Sequence, residues 1–393
     1  MHTSYHKFVS LYLHIPFCST KCTYCDFNSY ANITHLIEPF VHSIIRETKS
    51  IAEYGIQNQI GTIFLGGGTP SILASKQLES IISTIRQHFD ITDNAEISIE
   101  TNPGDLNINY LADLKRIGIN RLSIGMQSAN PSELALFARH HNNNTIIQAV
   151  SDARALGFKN VNLDLIYGFP QQTMASWQTS LKQLLELDPE HISLYAMGIE
   201  AGTALHSWVK NGALSTLDDD LVADMYEFAT EAMHKHGYEQ YEISNWAKPG
   251  YSCRHNLQYW RNLQYIGIGP GAHGFAGGVR YANILSPREY IRALHEYNQD
   301  KEFRFPYTPA TDNATIVGRA DEIAETLMMS LRLTEEGVQR EIFRERFGID
   351  LLDIHGEILR RFTNQGLLEI TPNRVRLTKS GRLLSNMIIR ELI

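Results

Sequence analysis

The chain has 393 residues, long enough for one large domain and a smaller one. Hydrophobic residues make up 43% and charged residues 20%, an ordinary globular composition that excludes extended disorder. The formal charge of −8, from 43 acidic and 35 basic residues, gives no general attraction for nucleic acid.

Residues 1–17 hold His6, Lys7 and His14 in a short apolar run without a small-residue cleavage site, so no signal peptide is expected. No run reaches about 18 uninterrupted apolar residues, so no membrane span is expected either. A reducing cytoplasm is the expected setting. The pattern then predicts strands over Val9–His14, Thr62–Leu65, Glu96–Glu100, Arg121–Gly125, Asn160–Leu165 and His191–Tyr195. Helical periodicity fills the gaps: Leu36–Tyr54, Lys76–Phe89, Tyr110–Ile117, Thr145–Leu156 and Trp177–Leu187. Six βα units in a row imply parallel strands with right-handed crossovers, closing wholly or partly into a TIM-like (β/α)6 barrel.

After about residue 240 the pattern breaks into loops rich in Gly and aromatics. A last unit then reads as three helices (Ile316–Leu331, Val338–Phe347, Leu351–Gln365), a hairpin (Leu367–Ile370 and Arg374–Thr378) and a final helix, a winged-helix-like order. Domains are therefore expected at 1–240 (barrel), 241–312 (connecting segment) and 313–393 (C-terminal, α-rich). From Arg332 to the end there are eleven basic and nine acidic residues, too balanced for a DNA-binding face.

Cys18, Cys22 and Cys25 fall within eight residues, at C-x-x-x-C-x-x-C spacing. Three thiolates can hold three irons of a 4Fe–4S cubane and leave the fourth iron open to a small molecule. A disulfide would strand one thiol, and a zinc site would want a fourth nearby ligand; Cys253 is the only other cysteine. The ends of successive strands carry further functional residue types: Gly66-Gly67-Gly68-Thr69-Pro70, Glu100-Thr101-Asn102-Pro103, Gln127, Asp164 and Tyr195. In a βα barrel these ends meet at one mouth. The glycines let backbone approach a ligand closely, and Asp164, set in an apolar run, must find a partner or a polar cavity. Arg139 supplies a cation that suits a ligand carboxylate.

Gly267-Ile-Gly269-Pro-Gly271-Ala272-His273-Gly274 has the letters of a dinucleotide motif. It contains Pro270, opens no helix and is placed outside the βαβ series, so it reads as a constrained loop near the barrel. Cys253-Arg254-His255-Asn256-Leu257-Gln258-Tyr259-Trp260 sets two candidate axial iron ligands, His255 or Cys253, beside two aromatic faces, as a haem site requires.

Together these motifs resemble the radical S-adenosylmethionine (SAM) superfamily, and within it the oxygen-independent coproporphyrinogen III oxidase-like branch, over nearly the whole chain. The likeness is strongest to that branch's haem-chaperone members. It implies a 4Fe–4S cluster on Cys18, Cys22 and Cys25. It implies SAM contacts at Tyr12, Gly67, Gly68, Thr69, Glu100, Gln127, Arg139 and Asp164, and haem binding at His255 in H-N-x-x-Y-W. The oxidases carry a fourth Cys where Phe27 stands here, and a longer segment before the cysteines than these 17 residues. The resemblance therefore implies haem as cargo for haem-requiring apoproteins, such as membrane-associated respiratory enzymes. Decarboxylation of coproporphyrinogen III is the alternative, and no catalytic residue is assigned. A radical-SAM enzyme acting on RNA or protein would show a basic module or further cluster cysteines, which are not visible.

Overall fold

A computed structural model describes residues 8–53, 59–296 and 304–393. They form two compact units, Met1–Met225 with Gln264–Thr315 and Tyr226–Leu263 with Ile316–Ile393. Residues 241–312, read above as one connector, are shared between the two.

In the first unit six strands follow one another with helices between: β1 (Phe8–Ile15), β2 (Gln59–Gly67), β3 (Ile91–Thr101), β4 (Arg121–Gln127), β5 (Val161–Tyr167) and β6 (His191–Ala196). They pair in parallel in that order. The sheet has two ends, so the barrel is partial. The crossover helices are α1 (Ile37–Glu53), α2 (Ser75–His88), α3 (Ile108–Ile117), α4 (Pro131–Leu136), α5 (Asn143–Ala155) and α6 (Met174–Glu186). Tyr54, the expected end of the first helix, lies outside the described residues, as do His6 and Lys7.

Several elements depart from the sequence expectation. The six-residue α4 is too short for periodicity to find. A seventh strand, β7 (Tyr265–Ile268), runs parallel to β1 and carries the first two residues of the glycine motif that the sequence places outside the βαβ series. Beyond it His273–Ala276 and Val279–Asn283 continue antiparallel. The motif is thus a strand end, a turn and the start of the next strand, and the turn's tightness requires its glycines. A Cβ on Gly269, which has φ +105, would lie 2.5 Å from the His14 carbonyl oxygen.

The six strands share one alternation. Leu11, Leu13, Ile63, Leu65, Ile97, Ile99, Leu122, Ile124, Leu163, Leu165, Ile192 and Leu194 are all buried. The alternate positions are mostly polar, Ser10, Thr62, Ser98, Glu100, Ser123, Asn162, Asp164, His191 and Ser193 among them, with Phe64, Gly125 and Ile166 as exceptions. Successive side chains on a strand point to opposite faces, so one sheet face is aliphatic and the other mainly polar. The polar face is hydrogen-bonded across strands: Thr62 Oγ1 donates to Ser10 Oγ (2.6 Å), and Asn162 Nδ2 to Ser123 Oγ (2.7 Å). Each buried aliphatic side chain stabilises the fold by about 1.5–3 kcal/mol. The polar face contributes no such driving force, and its groups must satisfy one another.

The second unit packs Arg319–Ser330, Arg340–Phe347 and Leu351–Asn364 with a three-stranded sheet in the order Val338–Gln339, Arg374–Leu377, Leu368–Ile370. Leu327, Phe343, Phe347, Leu359, Phe362, Val375 and Ile388 form its core. Three helices and a hairpin in this order make the winged-helix-like domain. The expected final helix is two short ones, Lys379–Leu383 and Ser385–Arg390. The unit also holds the short helix Arg254–Trp260, in a stretch read from sequence as loop. Among the described residues no helix is long and apolar enough to cross a membrane.

Candidate cofactor site at the barrel mouth

The cysteine loop leaves the end of β1 and is closed by a two-residue parallel pairing of Phe17–Cys18 with Tyr30–Ala31. All three thiols are free; Cys18 is buried, Cys22 and Cys25 half-buried. Burial raises the Cys18 and Cys22 thiols above their ordinary range, while the Arg139 guanidinium pulls both down. Hydroxyls stand beside the sulfurs: Thr69 Oγ1 is 3.6 Å from Cys18 Sγ, and Ser29 Oγ is 3.7 Å from Cys25 Sγ. Among the described residues no three Cys, His, Asp or Glu side chains surround a single-ion position.

The glycine run at the end of β2 lies against this loop. Gly68 N donates to Ile15 O and Thr69 N to Phe17 O, each at 2.8 Å. A Cβ on Gly68 would come within 2.6 Å of Phe17 O and 3.1 Å of Cys18 Sγ, so only glycine fits. Gly67 has φ +110, lies under the His14 ring and donates its N–H to Glu100 Oε2 at 3.1 Å. His14 Nε2 donates to the Asn28 carbonyl (2.8 Å), so Nδ1 is left to accept from Tyr12 Oη (3.0 Å). Burial holds this imidazole below its ordinary pKa, consistent with a neutral ring.

Glu100 is pushed up to about 7, by burial and then by the Asp164 carboxylate; Gly67 N–H and Arg121 act against that. Asp164 is also raised by burial, opposed by hydrogen bonds from Asn162, Ser193 and Ser123. Asn162 is the hub of the polar face. Its Nδ2 donates to Ser123 and to Asp164 Oδ1 (2.8 Å), and its Oδ1 accepts from His191 Nδ1 (2.7 Å) and Ser193 Oγ (3.1 Å).

Arg139 follows α4. One amino group donates to Asn102 Oδ1, the other to Tyr24 Oη at 3.0 Å, and its buried Nε has no partner. Asn102 in turn donates to Thr69 Oγ1 (3.3 Å), closing a chain from Cys18 through Thr69 and Asn102 to Arg139. Gln127 (φ +64) and Ala138 (φ +58) are both left-handed, a strained conformation for side-chain-bearing residues, and they bracket α4. A Cβ on Gly125 would meet Gln127 Nε2 at 2.6 Å and Arg139 at 3.8 Å, which places these two side chains together.

Of the expected barrel residues, Gly68, Thr69 and Arg139 lie by the thiols, Gly67 binds Glu100, which stands near Asp164, Gln127 lies by Arg139, and Tyr12 bonds to His14. The donor set fits a cluster with one open iron plus a zwitterionic ligand: three thiols, two carboxylates, and a guanidinium with an unused N–H. A bound cluster would leave one iron without a thiol, free to take a small molecule. Sequence reasoning named Asn102 only as part of the Glu100-Thr101-Asn102-Pro103 run and gave no role to Tyr24, Asn162 or Glu47. Glu47 is fully buried on α1, where Gly269 N, Asn283 Nδ2, Tyr290 Oη and Thr308 Oγ1 all donate to it, fixing the turn after β7.

His255 and Cys253 belong to the other compact unit. His255 is 1% exposed, and its Nε2 shares a 2.9 Å hydrogen bond with Tyr259 Oη, the rings meeting edge to face. Cys253 is fully buried at the start of the same helix. Gln258, 2% exposed, has no partner for either end of its amide, and the buried Trp260 Nε1 has none either. Each such group costs about 1–3 kcal/mol.

Residues 12–184 match the radical SAM superfamily and residues 317–384 the HemN C-terminal domain. The heme chaperone HemW of Bacillus subtilis (strain 168) is 36% identical over 381 residues, 96% of this chain and 97% of that protein. The chain belongs to the HemW family of radical SAM proteins. HemW of Lactococcus lactis subsp. lactis (strain IL1403) is 33% identical over 384 residues, 98% of this chain and 97% of the relative. The solved coproporphyrinogen III oxidase (HemN) from Escherichia coli shares the fold, with a TM-score of 0.84 at 24% identity over 98% of this chain and 90% of that one. Radical SAM membership implies a 4Fe–4S cluster and SAM, the groups for which the barrel mouth has suitable donors.

Proposed function

We propose that this chain binds haem and transfers it to haem-requiring apoproteins in the cytoplasm, among them membrane-associated respiratory enzymes. The observation that carries this reading is end-to-end likeness to proteins named heme chaperone HemW, with no large segment left over. In this proposal Cys18, Cys22 and Cys25 hold the cluster. Arg139 faces the SAM carboxylate, with Gln127 beside it. Gly67, Gly68 and Thr69 form the backbone cradle, while Glu100 and Asp164 meet the cationic and ribose parts, and Tyr12 acts through His14. His255 is the haem-iron ligand, and it must exchange the Tyr259 hydroxyl for iron. Cys253, fully buried, is given no role.

Phe27, 63% exposed where the oxidases carry a fourth cysteine, supports transfer over decarboxylation. The deciding experiment is anaerobic purification and cluster reconstitution, followed by haem titration and a coproporphyrinogen III assay with SAM on the same sample. Stoichiometric haem uptake, delivery to an apoprotein and no decarboxylation are expected. Turnover of coproporphyrinogen III would replace this reading with the oxidase.

A further inference from the structure

The helix Arg254–Trp260 holds a combination of groups that packing alone does not explain. Among the described residues Gln258 is the one side chain with two buried polar atoms that lack partners, Nε2 and Oε1. It lies three residues after His255 and so shares a helix face with it. Trp260 Nε1, two residues on, is a third unpartnered polar atom, and the Arg332 guanidinium stands 5.9 Å from the Trp260 ring centroid. The Gln258 amide, buried, unpartnered and on the face of His255, offers an N–H donor that complements a carboxylate, whereas Trp260, two residues on, lies on another face. A leucine or methionine at position 258 would satisfy the packing without leaving an amide unbonded.

From this we infer that Gln258 is the carboxylate-recognition residue of the haem site and takes a propionate of the porphyrin whose iron His255 binds. The inference rests on the haem-binding reading above and adds the residue that reads the cargo's acidic edge. It also gives the closed helix a purpose. The orphaned amide makes the empty state less stable than its packing would allow, so the segment opens at lower cost when a ligand can satisfy it.

The test compares the reconstituted full chain with Gln258→Leu and Gln258→Glu, using haem and its dimethyl ester as probes. Gln258→Leu should raise the melting temperature of the haem-free protein, because it removes an unsatisfied amide. It should also weaken haem binding by about tenfold, the scale of one charge-assisted hydrogen bond. Wild type should prefer haem to the ester, and the leucine variant should lose most of that preference; Gln258→Glu, which sets a carboxylate against the propionate, should favour the ester. A leucine variant that is less stable when empty, or that keeps the full preference for the free acid, overturns the assignment. If wild type binds neither probe, the haem reading itself has failed. Wild-type binding without discrimination between acid and ester refutes only the propionate contact.

Discussion

The barrel mouth and the His255 helix both gather unusual polar side chains, but they hold them differently. At the mouth almost every group is already committed. Asn162 uses all four of its hydrogen-bonding capacities, Gly67 N is bonded to Glu100, and two of Arg139's nitrogens are engaged. On the short helix the histidine is shut against Tyr259, while Gln258 and Trp260 have polar atoms with nothing to bond. A site assembled in advance suits a resident cofactor, since its ordering cost is met on folding. A closed, under-satisfied site suits a ligand that must enter and leave.

The contrast can be broken at several points. The largest effect belongs to the thiols: with Cys18, Cys22 and Cys25 all changed to Ala, the protein should lose essentially all sulfide and iron–sulfur absorbance. Cys253→Ala should keep both. Sulfide retained in full by the triple variant would mean the mouth is not the cluster site.

Next come the carboxylates. Asp164→Ala should weaken SAM binding by roughly tenfold or more, the worth of a buried charged hydrogen bond, while circular dichroism stays native. Calorimetric affinities unchanged in both Asp164→Ala and Glu100→Ala would place SAM elsewhere.

On the helix, His255→Ala should lower haem affinity and change the haem spectrum. Tyr259→Phe should instead raise affinity by about two- to threefold, since it removes a modest hydrogen bond that competes with iron. A phenylalanine variant that binds more weakly would show the tyrosine helping the ligand rather than closing the site.

A smaller effect lies in pH. Folding raises Glu100 from 4.5 to about 7, so the native state binds more protons than the unfolded one between those values. Stability from this group is therefore greatest below pH 4.5 and declines as pH rises toward 7. Urea titrations at several pH values should show Glu100→Gln losing less stability than wild type across that window. An identical slope in both proteins would assign the pH dependence to other groups.

The smallest effect is an expected blank. The full chain should show no salt-sensitive, micromolar affinity for duplex DNA, because its winged-helix-like unit is nearly charge-balanced. Filter binding at low salt would reveal the contrary.

Much of the barrel was legible because its signals are local. Strand and helix positions come within a few residues, and the cysteine spacing, glycine run, Glu100, Gln127, Arg139 and Asp164 all sit in motifs or at strand ends. What escaped was either short or non-local. β7 has four residues, Tyr265, Ile266, Gly267 and Ile268, too few to show a pattern, and one of them has no side chain. Asn102 bonds to Arg139 and Thr69, 37 and 33 positions away, and Tyr24 reaches Arg139 across 115 positions. Glu47 did leave a trace: Phe40, Ile44, Glu47 and Ile51 are a helical stripe with one carboxylate in it, and a charge on a buried face has to be answered somewhere. Asp164 was noticed for that same reason. The alternation around it was not, because it stands out only when the six strands are set side by side in register.

That alternation works as a proofreading device for folding. The strands carry mainly leucine and isoleucine on one face and mainly serine, threonine, asparagine and carboxylates on the other. A slip of one residue in any strand would turn its aliphatic side chains into the polar interior and strand its hydroxyls and amides against the helices. A wrong register is penalised twice, once on each face, and a two-residue slip that restores the faces would pull the cysteine or glycine loop out of reach of its partners. The same sequence that prepares the mouth for a polar cofactor therefore also sets each strand to the right length.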